Sequence, residues 1–276
     1  MKSDIVTIDL RYSSKTKAKG ADVRIVYSLG DAVRMASKEP NRQFSFFAIG
    51  FETTSPSTAV EVLNKPPNNF SFLISHRLIP PAMKLLVEME DLDLDGLIAP
   101  GHVSTIIGLR PYEVFPKAYG MPTVVAGFEP LDLLFGIYMI IRQLVQGRPI
   151  LQNEYVRAVQ WEGNVKAQEM MREVFVVEDG KWRGLGTISS SKLALRKEYA
   201  NYDACLKHGV EAKDGVDLQL GCQCHLVVVG KRRPNECPLF MKDCTPQRPV
   251  GACMVSAEGT CRIWAKTINM NKQTEY

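Results

Sequence analysis

The 276-residue chain has a formal net charge of +4, is 45% hydrophobic and contains seven cysteines. The mild charge, with short basic clusters that lack interleaved aromatic residues, argues against a nucleic-acid-binding protein, and no run approaches the roughly twenty apolar residues of a membrane span. An odd number of cysteines and an N-terminal stretch without an apolar leader argue against a secreted disulfide scaffold. We therefore expect a reduced, cytoplasmic protein with enough apolar residues for a buried core.

Short apolar runs alternate with amphipathic segments from residue 20 onward. This alternation is typical of parallel strands joined by helices, so an α/β fold is predicted. Residues 1–19 are polar and weakly patterned and lie outside it. Predicted strands cover 23–27, 44–50, 70–75, 96–100, 123–127 and 174–177, and predicted helices cover 31–38, 79–89, 131–146, 167–173 and 192–208.

The tripeptide Gly-Phe-Glu occurs twice, at 50–52 and 127–129, each time between an apolar strand and a helix. The shared setting indicates two similar parallel-sheet units placed side by side. Open α/β sheets bind ligands at the carboxyl ends of their strands, so Glu52, Thr53 and Thr54 could present a carboxylate and two hydroxyls to a bound group. Helix capping is the alternative for these residues.

His102 follows another predicted strand, where a helix begins. A histidine there could transfer protons or contact a ligand, and a capping or structural role is the alternative. The sequence contains no G-x-S-x-G elbow, P-loop or G-x-G-x-x-G motif. Hydrolase and nucleotide-dependent activities are therefore not expected.

Four of the seven cysteines lie in one turn-rich segment, residues 237–261, with the spacing C-x6-C-x8-C-x7-C. Structural zinc usually takes paired ligands roughly two to four residues apart, and this segment contains no such pair. Longer spacings let separate turns supply one thiolate to each iron of a cube. We therefore expect an iron–sulfur cluster, and zinc or unligated buried thiols are the alternatives. The four cysteines are Cys237, Cys244, Cys253 and Cys261.

Cys222 and Cys224 form a C-x-C pair shortly before this segment. They could be redox-active thiols that exchange electrons with a nearby cluster, or buried thiols that pack against it. Cys205 stands alone on a predicted helix and is expected to be inert.

A series of long motifs follows in order along the chain: GADVRIVYS (20–28), FFAIGFETTSPSTA (46–59), PGHVSTIIG (100–108), VVAGFEPLDLL (124–134), WRGLG (182–186) and the cysteine segment 237–261. With these motifs the chain closely resembles the hydrogenase maturation proteins of the HypD family. The resemblance implies an α/β fold with two similar Rossmann-like parallel-sheet domains and a smaller iron–sulfur domain. The expected ranges are 20–65 for a partial first domain, 66–149 for the second and 150–276 for the iron–sulfur domain, with 1–19 unmatched.

The resemblance also implies a redox-active assembly scaffold rather than a conventional turnover enzyme. Proteins of this family work with a HypC-type chaperone and a HypE-type cyanide donor to assemble the Fe(CN)2CO centre of [NiFe] hydrogenase. The four cysteines of 237–261 match the ligands of a [4Fe-4S] cluster, and Cys222 and Cys224 match thiols near it. Electrons are expected to pass through these thiols into a cleft lined by Gly50, Glu52, Thr53, Thr54 and His102.

Two departures from the family pattern concern the iron under assembly. The CGGHTH motif, whose cysteine holds that iron in the family, and the GCPVC motif are absent, and no cysteine occurs before Cys205. Transient iron binding is therefore expected to be impaired in a chain shortened at its N-terminus. Two alternatives remain, namely an interaction module braced by a structural metal and an inactive fragment of a longer protein.

Overall fold

A computed structural model describes residues 4–7, 20, 22–90, 94–210 and 220–273. The chain forms two compact units, which we call the body unit and the cysteine unit. No helix in the described part of the chain combines the length and the apolar character needed to cross a membrane. The body unit comprises Met1–Glu88, Asp93–Gly180 and Ser189–Glu211, and the cysteine unit comprises Met89–Leu92, Lys181–Ile188 and Ala212–Tyr276.

A four-stranded parallel sheet forms one part of the body unit. Its strands are β1 (Asp4–Thr7), β2 (Val23–Ile25), β3 (Phe44–Gly50) and β4 (Phe70–His76), and helices α1 (Leu29–Lys38), α2 (Ser55–Leu63) and α3 (Ile79–Val87) connect or follow them. The strand order is β2-β1-β3-β4, and every pair is parallel.

Phenylalanine rings of β3 and β4 form the centre of this sheet's core. Phe44 and Phe46 alternate along β3, and Phe70 and Phe72 alternate along β4, so all four rings point to one face. The centroids of Phe70 and Phe72 are 5.1 Å apart in an edge-to-face contact, and Phe46 lies 6.5 Å from each of them. Each buried ring contributes roughly 1.5–3 kcal/mol of apolar stabilisation.

Two strands of this sheet lie outside the ranges expected from the sequence. β4, which was assigned to a second domain at 66–149, pairs with β3 from Phe44↔Phe70 to Gly50↔His76. β1 lies between β2 and β3, in the segment 1–19 that showed no pattern. A four-residue strand is too short to display an alternation, and alternating helices and strands do not reveal which sheet a strand joins.

A three-stranded parallel sheet in the order β5-β6-β7 forms another part of the body unit. Leu97 of the first strand pairs with Thr123 of the second, which pairs with Leu151 of the third. The third strand therefore belongs to this sheet, although the sequence placed residues from 150 onward in a separate domain. In chain order the elements are β5 (Leu97–Pro100), α4 (Gly101–Ile107), α5 (Val114–Tyr119), β6 (Thr123–Ala126), α6 (Pro130–Val145) and β7 (Leu151–Asn153).

The body unit also contains α7 (Val165–Val174) and α8 (Ala204–His208). The paired strands β8 (Phe175–Trp182) and β9 (Gly186–Leu195) lie mainly in this unit, and their residues within Lys181–Ile188 belong to the cysteine unit. The helix predicted over 192–208 is wrong at its start, because residues 192–195 continue β9 and pair with β8. Tertiary pairing here overrides the helix propensity of the local sequence. The mixed α/β class with parallel sheets is confirmed.

The cysteine unit has little regular structure. Its helices are α9 (Cys224–Val228), α10 (Ala252–Val255) and α11 (Thr260–Gln273). The buried core of this unit contains five cysteines together with Val227, Met254 and Ala265. Cysteine sulfur therefore replaces most of the aliphatic core that a unit of this size would need.

Candidate metal centre

Six cysteines of the cysteine unit converge on one pocket. Each of them is at most 8% exposed. Leu239, Phe240, Gly251 and Met254 complete the walls, so the lining carries no charged side chain. The six cysteines are Cys222, Cys224, Cys237, Cys244, Cys253 and Cys261.

Separate local structures position these cysteines. Cys224 begins α9, Cys253 lies in α10, and Cys261 lies in the first turn of α11. Cys237 and Cys244 flank a tight turn in which the Phe240 N–H donates to the Cys237 carbonyl at 2.9 Å, and the Cys244 N–H donates to the Leu239 carbonyl at 2.9 Å. The proline- and glycine-rich sequence thus forms turns that aim sulfur atoms inward, as its spacing suggested.

Two glycines allow the backbone to approach these cysteines closely. A Cβ atom at Gly251 would lie 2.5 Å from the Cys222 sulfur and 3.4 Å from the Cys224 sulfur. A Cβ atom at Gly259 would overlap the carbonyl oxygen of Cys253. This packing role was not predicted from the sequence, although small residues so close to Cys253 and Cys261 could have indicated it.

Hydrogen bonds to sulfur shift the pKa values of the thiols. A bond from the Cys253 thiol to Cys224 is the largest cause that lowers the pKa of Cys224, and the same bond raises the pKa of Cys253. The backbone N–H groups of Ala252 and Cys253 also favour the Cys224 thiolate. Burial raises the pKa of Cys222 to about 11. The pocket therefore stabilises the thiolate form of Cys224 and the thiol form of Cys222.

The donor set of the pocket consists of thiols, which both an iron–sulfur cluster and a zinc ion take as ligands. All seven cysteines are free thiols. Zinc needs its sulfur ligands about 2.3 Å from a common point. Within the described residues, no group of three or more Cys, His, Asp or Glu side chains is arranged to hold a metal ion. In a cube each thiolate binds its own iron, so the sulfur ligands lie farther apart. The Val250 N–H donates to the Cys244 sulfur at 3.3 Å, as N–H groups do around cluster sulfurs.

The strand-end residues predicted to bind a ligand lie in the body unit. Among them, Glu52 was expected to present its carboxylate to a bound group, and the structure shows a different environment. Its side chain is buried rather than presented to a ligand, and its Oε1 accepts the Ile79 N–H at 2.9 Å. Its Oε2 is buried without a hydrogen-bond partner, and burial raises the pKa of this carboxyl to about 7. Thr53 and Thr54 are exposed, and the Thr54 hydroxyl donates to the Phe51 carbonyl at 3.1 Å. Gly50, with φ of 140°, allows the turn.

The second Gly-Phe-Glu turn has a different environment. Glu129 is exposed and precedes α6, where it lies 3.8 Å from Arg157. The buried acid of this turn is Asp132, which accepts two hydrogen bonds from the Arg157 guanidinium at 2.6 and 2.9 Å. The shared tripeptide therefore does not create two equivalent sites.

His102 is exposed at the start of α4. Its ring centroid lies 4.7 Å from that of Phe128 and 6.3 Å from that of Tyr155. The buried histidine of the body unit is instead His76, whose Nε2 lies 3.0 Å from the Thr58 hydroxyl and whose pKa burial lowers to about 4. Sequence reasoning missed this pair because nothing in the pattern distinguishes an inward from an outward histidine at a strand end.

The fold and the pocket define a class, namely an α/β protein with a buried six-cysteine pocket in a second unit. The HypD family model, described as the hydrogenase formation hypA family, matches residues 4–267. The match begins inside the segment that the sequence analysis left unmatched.

Individual relatives agree with the family model. The chain is 47% identical over 254 residues to a putative hydrogenase expression/formation protein of Methanocaldococcus jannaschii, in an alignment that covers 91% of this chain and 70% of that protein. It is 43% identical over 257 residues to the hydrogenase maturation factor HypD of Cupriavidus necator, covering 90% and 68%. The chain belongs to the HypD family.

Proposed function

We propose that this chain is a hydrogenase maturation factor that holds a [4Fe-4S] cluster in the cysteine pocket. The convergence of six buried thiols in one apolar pocket carries the proposal. The four proposed ligands lie on separate turns and helices, which suits one thiolate for each iron. These ligands are Cys237, Cys244, Cys253 and Cys261.

A bound cluster would supply one-electron transfer to the pocket. Leu239, Phe240 and Met254 would exclude water from it, and the Val250 N–H would stabilise negative charge on the Cys244 sulfur. Cys222 and Cys224 are the proposed redox thiols, because they line the same pocket and differ in how readily they ionise. Closing a disulfide between the Cys224 thiolate and the Cys222 thiol would release two electrons and one proton, and the iron centre under assembly would accept the electrons through the cluster in one-electron steps.

The substrate of this scaffold is the iron centre under assembly, with its cyanide and carbon monoxide ligands. The proposed partners are a HypC-type chaperone and a HypE-type cyanide donor, and the proposed compartment is the cytoplasm. The relatives are named for hydrogenase maturation, and that naming supports the proposed pathway. Exposed Thr53, Thr54 and His102 are the proposed contacts with the iron centre, and Gly50 and buried Glu52 hold the turn.

The test is anaerobic reconstitution of the wild-type chain and of single Cys→Ser variants, followed by iron analysis and electron paramagnetic resonance of the reduced protein. We expect about four irons per chain in the wild type and less iron in each of the four ligand variants. Cys205→Ser is the matched control, since Cys205 is a partly exposed thiol in the body unit, and it should bind as much iron as the wild type.

The remaining variants separate ligation from thiol redox chemistry. Cys222→Ser and Cys224→Ser should keep the iron and lose the two-electron thiol step in a redox titration. A colourless, iron-free wild type after reconstitution would refute the proposal. Zinc bound at one equivalent without any reducible centre would show instead that the pocket is structural.

A further inference from the structure

Arg262 differs from the other charged residues of the cysteine unit in its burial. Every other Asp, Glu, Lys and Arg within the described residues 220–267 is exposed, whereas Arg262 is half-buried. Its Nε atom is buried and has no hydrogen-bond partner in the part of the chain that the structure describes. A buried charge is costly unless it is paired and hydrogen-bonded, so this arginine requires a counter-charge.

The position of Arg262 along helix α11 is also unfavourable for a cation. The residue lies in the first turn of this helix, directly after Cys261. The N-terminal end of a helix carries partial positive charge, so it stabilises anions rather than cations. Helix formation therefore does not account for an arginine at this position.

The guanidinium of Arg262 connects three segments that carry proposed ligands. Its Nη1 donates to the Pro246 carbonyl at 2.8 Å and to the Met254 carbonyl at 3.5 Å. Pro246 lies between the second and third of the four ligand cysteines, Met254 directly follows the third, and Arg262 itself follows the fourth. One side chain thus fixes the spacing of these segments around the pocket.

The two acceptors of these hydrogen bonds are themselves held in place. Pro246 lies in a turn in which the Thr245 N–H donates to the Arg248 carbonyl at 3.2 Å and the Arg248 N–H donates to the Thr245 hydroxyl at 3.1 Å. Met254 is fully buried in α10 and lines the pocket. Both acceptors are neutral carbonyl oxygens, so they orient the guanidinium without neutralising its charge.

A cluster in the pocket would provide the missing negative charge. A cube held by four thiolates is anionic, and its net charge is one of the factors that set its reduction potential. Reduction adds a further negative charge, so a nearby cation stabilises the reduced state more than the oxidised state. The walls of the pocket carry no charged side chain, and a half-buried charge is screened by salt less than an exposed one.

We propose that Arg262 is a positioning residue of the cluster, which orders the three ligand segments through the two carbonyls and raises the reduction potential of the cluster through its charge. The inference rests on the proposed function, because it requires a reducible centre in the pocket. It assigns a role to a residue outside the set of cysteines.

The test is a redox titration of the reconstituted full chain, monitored by electron paramagnetic resonance of the reduced cluster, with iron analysis of each sample. Arg262→Gln keeps an amide donor and removes the charge, so reduction should become about tenfold less favourable, which lowers the midpoint potential by about 59 mV. Arg262→Lys keeps the charge and should have a potential close to that of the wild type.

Lys266→Gln is the matched control. It removes the same charge from an exposed position of the same helix, where solvent and salt screen the charge, and it should leave the potential unchanged. A loaded Arg262→Gln with the wild-type potential, or equal shifts in Arg262→Gln and in either Arg262→Lys or Lys266→Gln, would overturn the inference and leave the proposed function standing.

Iron content separates the remaining outcomes. A wild type that binds no iron would refute the proposed function and this inference together. If Arg262→Gln binds less iron than the wild type, recovery of iron binding in Arg262→Lys supports the need for a positive charge. Loss of iron in both variants would show that only the shape of the arginine matters, and the inference would be wrong.

Discussion

Two glutamates at equivalent positions of a repeated sequence motif lie in different environments in the structure. Glu52 and Glu129 end the same tripeptide, yet one is buried and the other is 79% exposed. The difference arises from what packs on each turn. Glu52 caps the backbone at Ile79, whereas Arg157 and Asp132 occupy the equivalent region of the second turn. Side-chain burial at a strand end therefore depends on distant segments that a local motif does not contain.

The buried carboxyl of Glu52 gives stability a defined pH dependence. Its pKa is raised by burial from 4.5 to about 7, so between these values the folded chain holds a proton that the unfolded chain has released. The protonated carboxyl makes its full contribution to the free energy of unfolding below pH 4.5. This contribution is lost as the pH rises to 7, and the free energy of unfolding falls by about 3 kcal/mol. His76 acts in the opposite direction, because its lowered pKa removes stability as pH falls from 6.5 to about 4.

Replacement of the carboxyl by an amide isolates the Glu52 contribution. Glu52→Gln keeps an oxygen that can accept the Ile79 N–H and cannot ionise, so it should gain stability relative to wild type between pH 5 and pH 8, by about 2–3 kcal/mol. Urea unfolding of both proteins at the two pH values measures this difference. Glu169→Gln, at an exposed position on α7, should show no such change. Parallel pH profiles for Glu52→Gln and wild type would contradict the argument.

Among the elements of the cysteine unit, the close approach of two segments decides the shape of the pocket. Gly251 precedes α10 and touches the segment that carries Cys222 and Cys224. Any side chain there must push the two segments apart, because the Cβ atom would meet sulfur at 2.5 Å. A rigid backbone contact of this kind is costly to overpack.

Gly251→Ala therefore should displace Cys222 and enlarge the pocket. We expect a loss of about 1–3 kcal/mol in stability and a clear reduction in iron bound after reconstitution. Gly30→Ala is the control: a Cβ atom at Gly30 would meet its nearest neighbour at 3.7 Å, and the residue lies within α1, where alanine is favoured. Thermal melting and iron analysis of both variants provide the measurement. Unchanged iron content in Gly251→Ala would show that the pocket tolerates the extra methyl group.

Elements with strong local signals were predicted well. The predicted strands at 44–50 and 70–75 and the helix at 131–146 agree closely with β3, β4 and α6, because each combines a long apolar run with a capping or breaking residue. The cysteine spacing predicted a metal centre, and that stays a prediction; the structure brings the four cysteines of 237–261 to one pocket with Cys222 and Cys224. Three features depend on contacts between distant segments, and no periodicity within one segment reports them. They are the order of strands within a sheet, the sheet to which β4 or β7 belongs, and the exposure of apolar residues on the outer side of α6.

The two units of the molecule have cores of different composition. The body unit holds two parallel sheets with aromatic and aliphatic cores. The core of the cysteine unit is mainly the cysteines themselves, and such small side chains bury less apolar surface than the aromatic and aliphatic residues of the body unit. Metal ligation should therefore supply folding free energy to the cysteine unit specifically.

Hydrogen exchange can measure this division. Binding stabilises only the cooperative unit that contains the site, so reconstitution with iron and sulfide should slow amide exchange about tenfold or more in peptides from 222–267. Peptides from 22–88 should exchange at the same rate with and without iron. Cys253→Ser, treated identically, should show no slowing in either region, because it lacks a proposed ligand. If amide exchange slowed equally in both regions, the two units would unfold together. If exchange in 222–267 of the iron-loaded wild type did not slow, the metal would not support the fold of the cysteine unit.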